Sequence, residues 1–107
     1  MRNWIVSLSL GGLLAGSVIA ADKPGDAKKG KEDFDQCSVC HNTDNDEKKI
    51  GPSLKGLYKR AALKNGKKVT DENVKAMINS GGNGMPSYAD LLSETEKADV
   101  IAYLKTL

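Results

Sequence analysis

Cys37, Cys40 and His41 stand within five residues of one another, and they are the chain's only two cysteines and its only histidine. In the run Cys37-Ser38-Val39-Cys40-His41 the thiols occupy positions i and i+3 and the imidazole i+4, so on one helical turn all three can face the same way. Three chemistries use such a set: a structural zinc site, a redox-active dithiol, and covalent attachment of a haem.

A structural zinc site wants four cysteine or histidine ligands, and this chain offers three. A thioredoxin-like dithiol wants a strand before the motif and a βαβ setting, and no strand-like alternation precedes Cys37. A disulfide between Cys37 and Cys40 would close so short a loop that it constrains the unfolded chain little. Haem attachment uses every member of the set: two thiols add to the two vinyl groups of the porphyrin edge, and the adjacent histidine reaches the iron from the proximal side. One haem is therefore the expectation, with zinc and dithiol chemistry as the alternatives.

Iron has a second axial position, and Met85 is the candidate. It lies in Gly81-Gly82-Asn83-Gly84-Met85-Pro86, where glycines let a loop approach a flat ring closely and Pro86 stiffens the exit. Met1 falls in the leader and Met77 falls on the apolar face of a helix, where packing is its expected role. The metal ligands are thus expected to be His41 and Met85.

These groups need elements to hold them. Asp26 to Gln36 reads as a charged helix with Ala27, Gly30 and Phe34 along one side, running into the cysteine motif. Gly51-Pro52 marks a turn, with one short helix expected through Leu54, Leu57 and Tyr58. Thr70 is placed as an N-cap ahead of Asp71 and Glu72, with Val74, Met77 and Ile78 on one face and Gly81 as terminator. Ser93-Glu94-Thr95-Glu96 is a capping box, followed by Val100, Ile101, Tyr103, Leu104 and Leu107 as an apolar face. Nothing argues for a sheet, so the fold is expected to be all-α, with long loops wrapped around a site.

The 107 residues suit one domain. Arg2 followed by an apolar stretch from Trp4 to Ala20 has the layout of a secretory signal, residues 1–20, with cleavage after Ala20; an uncleaved membrane anchor is the alternative. That leaves a domain over residues 21–107, small enough that an apolar prosthetic group would supply much of its core.

Taken together, these stretches resemble the class I c-type cytochromes, and the likeness runs through the whole of residues 21–107. The resemblance implies that Gly30 and Phe34 form the face of an N-terminal helix that crosses the C-terminal helix at Ala98 to Leu104. It implies that the Pro52 carbonyl accepts a bond from His41 Nδ1, that Tyr58 packs near the haem, and that Arg60 lies close to a propionate. Two departures stand out. Phe34 is three residues before Cys37, one fewer than usual, and Asp71 occupies the region where mitochondrial relatives carry a tryptophan near a propionate.

Charge is unevenly spread. Residues 22–47 sum to −4, residues 71–89 to −1 and residues 90–107 to −2, whereas residues 48–70 sum to +8 with no acid among them. That basic block either balances propionates on a solvated face or docks redox partners with acidic patches. Nucleic acid is not an expected target, since Tyr58 is the block's only aromatic. The expectation is a periplasmic, monomeric single-electron carrier that is not an enzyme and meets membrane complexes only transiently. A haem-bearing subunit of an oxidase or dehydrogenase, or a gas-binding cytochrome, is the alternative.

Overall fold

The computed structural model describes residues 25–107; the leader expected over residues 1–20 lies outside the described residues. The chain forms helix α1 (Ala27–Asp33), a 3₁₀ turn (Phe34–Gln36), a second 3₁₀ turn (Leu57–Lys59), helix α2 (Asp71–Ser80) and helix α3 (Glu94–Leu104). Among the described residues there is no strand, only isolated antiparallel bridges at Ala62–Lys68 and Gly82–Met85. The fold is all-α.

α1 begins where Asp26 accepts hydrogen bonds from the backbone N–H groups of Lys28 and Lys29, satisfying donors that the first turn leaves open. The single helix expected to run to Gln36 instead tightens into the 3₁₀ turn after Asp33, as helix ends commonly do. Phe34 is thereby turned into the core, 4% exposed, with its ring 5.3 Å from that of Tyr103 on α3. The shortened spacing between Phe34 and Cys37 does not keep this aromatic out of the helix interface.

α1 and α3 are packed backbone to backbone. A Cβ on Gly30 would lie 1.9 Å from the carbonyl oxygen of Asp99, and one on Gly25 would lie 2.0 Å from that of Ala98. Only residues without a side chain permit that approach. Buried Asp99 completes the joint by accepting the Asp26 N–H at 2.7 Å.

α2 starts at Thr70, whose hydroxyl accepts from the Asn73 N–H, and ends at Gly81 with φ 63°. α3 carries the full capping box of Ser93 and Glu96. Val74, Ile78, Leu92, Val100, Ile101 and Leu104 join Phe34 and Leu57 in one buried cluster. Met77 is only half-buried, one step off the centre of the α2 face. Tyr103 and Leu107 pack against the cluster without being enclosed, and Lys97 and Asp99 are buried beside it.

Candidate cofactor site

The 3₁₀ turn delivers the chain into the cysteine motif as a continuous helical coil. The Cys37 carbonyl accepts from the N–H groups of Cys40 at 3.1 Å and His41 at 3.0 Å, so both thiols and the imidazole sit on one turn. The thiols are free and half-buried. Burial, and then the neighbouring Cys40, push the Cys37 thiol up to about 11, so it is a neutral thiol at ordinary pH.

The loop after the motif returns to His41. Gly51 N–H donates to the Cys40 carbonyl at 2.8 Å, and a Cβ on Gly51 would lie 2.6 Å from His41 Cε1 and 3.0 Å from Nδ1. The backbone of Gly51 is therefore laid against the imidazole. The next residue supplies a bond: His41 Nδ1 lies 2.7 Å from the Pro52 carbonyl oxygen. A carbonyl only accepts, so Nδ1 carries the proton, and in the neutral ring that tautomer leaves the lone pair on Nε2.

Ser53 anchors this loop, its hydroxyl donating to the Asn45 carbonyl at 2.5 Å while accepting from the Lys55 N–H at 3.1 Å. Arg60 stands next to it, with Nη2 donating to the carbonyls of Ser53 at 3.0 Å and Lys55 at 2.9 Å. One face of the guanidinium is thus engaged in holding the loop that carries Pro52. The Tyr58 hydroxyl donates to Asp71 Oδ1 at 2.9 Å, and Asp71 Oδ2 accepts from Lys105 Nζ at 2.8 Å. The hydrogen bond from Lys105, then that from Tyr58, holds the Asp71 carboxyl below its ordinary range, while burial and the same carboxylate raise the Tyr58 phenol.

Met85 occupies the end of a tight hairpin. Gly82 and Met85 exchange both backbone hydrogen bonds, at 2.9 and 3.0 Å, and the two residues between them have positive φ, Asn83 at 52° and Gly84 at 94°. That pair is the Asn-Gly chemistry of a primed turn, which the sequence had presented only as a glycine-rich loop. Gly81 lies beneath it, since a Cβ there would come within 2.4 Å of the Met85 carbonyl oxygen.

Tyr88, which sequence reasoning did not single out, links this segment to the motif. Tyr88 and Cys37 both pack against the buried core cluster, and burial, then Cys37 and Cys40, raise the Tyr88 phenol. An aromatic three residues after Met85 was the available signal. Lys49, which the sequence placed only in the basic block, has its Nζ donating to the Ser38 carbonyl inside the motif at 2.9 Å.

The residues present fit a covalently held haem. Its attachment asks for two free thiols on one turn and an imidazole held through Nδ1 so that Nε2 is left unpartnered by that bond, and both are here. Zinc fits less well: among the described residues no group of three or more His, Cys, Asp or Glu side chains converges where an ion could sit.

Comparison with known proteins agrees. Residues 25–104 match the family described as cytochrome c oxidase, cbb3-type, subunit III. The chain is 35% identical to the cytochrome c-type cyt cy of Rhodobacter capsulatus over 78% of its own length, spanning half the length of that relative. It is 29% identical to cytochrome c2 iso-1 of Magnetospirillum molischianum, over 69% of this chain and 92% of the other. Among solved structures it resembles cytochrome c6 of the diatom Phaeodactylum tricornutum, with TM-score 0.62, 26% identity, and coverage of 77% of this chain and 93% of that one. Cytochrome cH of Methylobacterium extorquens is similar too, with TM-score 0.58, 26% identity, and coverage of 78% and 100%.

Proposed function

The chain belongs to the class I c-type cytochromes, and on that premise we propose that it is a single-electron carrier in which Cys37 and Cys40 hold the haem and His41 and Met85 are its axial ligands. The observation that carries the reading is the bond that His41 Nδ1 donates to the Pro52 carbonyl, which leaves the lone pair of Nε2 free in the neutral ring.

When bound, the haem supplies a one-electron couple at its iron. This chain's own residues do the rest. Pro52 and Gly51 fix the tautomer and the plane of the His41 ring, so the imidazole has little freedom to reorient. The Asn83-Gly84 turn presents Met85 from a rigid hairpin rather than a slack loop. A His/Met pair places the potential on the positive side of the haem range. The relatives that the chain matches are cytochromes by name, which supports a carrier rather than an enzyme.

Export to the periplasm is part of the proposal, supported by the leader-like residues 1–20 and by the need for a covalently held cofactor outside the cell interior. Among the described residues no helix is long and apolar enough to cross a membrane. The partners are redox proteins with acidic patches, met by a monomer.

The family's description as an oxidase subunit favours a second reading, in which the protein is held permanently by a larger complex. Purification under mild conditions separates the two, because a carrier runs alone and a subunit runs with its complex.

The test of the main reading is the visible spectrum of the exported protein. Ferric protein should show a weak absorption near the red end that reports methionine sulfur on iron, and Met85→Ala should abolish it. A haem spectrum lacking that feature in the unaltered protein would overturn the assignment of Met85.

A further inference from the structure

The stretch carrying Met85 runs from Gly81, the C-cap of α2, to Ser93, the N-cap of α3. Its first half hangs on α2: Ser87 Oγ donates to the Asn79 carbonyl at 2.6 Å and Tyr88 N–H to that of Ile78 at 2.9 Å. Its second half is held from α3. Lys97 Nζ reaches back to donate to the Ala89 carbonyl at 3.1 Å and to Glu94 Oε2 at 3.0 Å, and Glu94 Oε1 pairs with Lys75 on α2.

Lys97 is 2% exposed, as low as any core residue of the chain. Lysines on amphipathic helices ordinarily bury the stem and keep the ammonium in water. Burying the charge is costly unless it is paired and hydrogen-bonded, and a leucine or methionine would fill the same volume without that cost. Packing therefore does not account for an ammonium here. Its two acceptors do, because one is the backbone of the Met85 segment and the other is the carboxylate that ties α3 to α2.

We propose that Lys97 is a positioning residue for Met85, closing a clasp from Lys75 through Glu94 and Lys97 to the Ala89 carbonyl across the base of the 81–93 segment. The inference rests on the reading of Met85 as an iron ligand. Local segments open with free energies below that of the whole protein, and the clasp sets that energy for this one. With it closed, the segment swings out rarely. With it broken, the bonds to α2 and the buried Leu92 are left to hold the segment, and an outside ligand reaches the vacated coordination position more often.

Imidazole titrated into the ferric holoprotein measures this, because its apparent affinity scales with the population of the open segment. Lys97→Met keeps length and volume but loses the bonds, and imidazole should bind about tenfold tighter or more. Lys97→Arg keeps charge and donors and should stay near the unaltered protein. Gly30→Ala, which strains the α1–α3 joint instead, separates the clasp from general instability and should leave imidazole affinity unchanged. Should Lys97→Met yield no folded holoprotein, Glu94→Gln carries the test, since its side chain is 68% exposed and its loss creates no buried gap. It should bind imidazole several-fold tighter. Equal affinity in the unaltered protein and Lys97→Met, or an equal rise in Gly30→Ala, overturns the clasp. A red-end absorption absent from the unaltered protein overturns the ligand assignment instead, so the two failures are told apart.

Discussion

The imidazole Nδ1 of His41 lies 2.7 Å from the carbonyl oxygen of Pro52, eleven residues along the chain, and this bond is made possible by the residue between the two segments that has no side chain. Gly51 lies flat on the ring, bringing Pro52 into reach. Orientation of the histidine is thus decided by a loop rather than by the helical turn that carries it.

Gly51→Ala tests that arrangement. A Cβ 2.6 Å from His41 Cε1 must displace either the ring or the loop. Overpacking of this kind costs about 1–3 kcal/mol. Denaturant unfolding of the holoprotein should register the loss, and the ferric spectrum should change with it because the ring turns. A stable protein with an unaltered spectrum would mean that the loop yields freely and does not set the ring plane.

Gly30→Ala should be as damaging for a different reason. The new methyl would lie 1.9 Å from the Asp99 carbonyl oxygen, so α1 and α3 must separate, with a loss of about 2 kcal/mol or more. Gly66→Ala is the comparison. It meets nothing within 4 Å but has φ 85°, so only backbone strain of about 1 kcal/mol is expected. Thermal melts of the two holoproteins should rank them in that order.

Asp71 gives the molecule an acid-sensitive contact. Its folded-state pKa is lowered, chiefly by the hydrogen bond from Lys105, so its contribution is present above its unfolded value, near 3.8, and is lost as pH falls through the folded value. Because the pair is largely exposed, at 48% and 56%, the contribution is at most about 1 kcal/mol. Asp71→Asn should therefore be slightly less stable than the unaltered protein at neutral pH, and the gap should close below about pH 4. A gap that stays constant across the acid range would show that the carboxylate charge is not the source.

The basic block gives a kinetic expectation. Lys48, Lys49, Lys55, Lys59, Lys64, Lys67 and Lys68 are all exposed on one continuous loop region with no acid in it. Electron-transfer rates with the physiological partner should fall as salt rises beyond the range where charges are screened, and replacing Lys64 and Lys67 with glutamine should flatten that dependence. Rates indifferent to salt would leave the block as a solvated face.

Local features were legible because their physics is local. The Cys37, Cys40 and His41 triplet, the Thr70 cap, the Ser93–Glu96 capping box and the Gly81 terminator are each read within a few residues, and each appears where its spacing puts it. The Pro52 contact came from family resemblance, since no periodicity points a carbonyl at a histidine. Tyr58 and Arg60 show the limit: the bond of the Tyr58 hydroxyl to Asp71 and those of one Arg60 nitrogen to the carbonyls of Ser53 and Lys55 had no mark in the sequence. A side chain's partner depends on what other elements bring alongside it.

By itself, then, the amino-acid sequence determined the attachment chemistry, the all-α class, both ends of α2 and the start of α3, because these follow from residue type and short spacing. Only the tertiary structure decided that Asp99 is buried to hold the Asp26 N–H, 73 residues away, that Lys105 reaches Asp71, 34 residues away, and that a buried Lys97 grips the segment carrying Met85. Those contacts arise when α1, α2 and α3 close on one core. A lysine or an aspartate on an amphipathic helix carries no mark of whether its head will meet water or a carbonyl until the neighbouring backbone is in place.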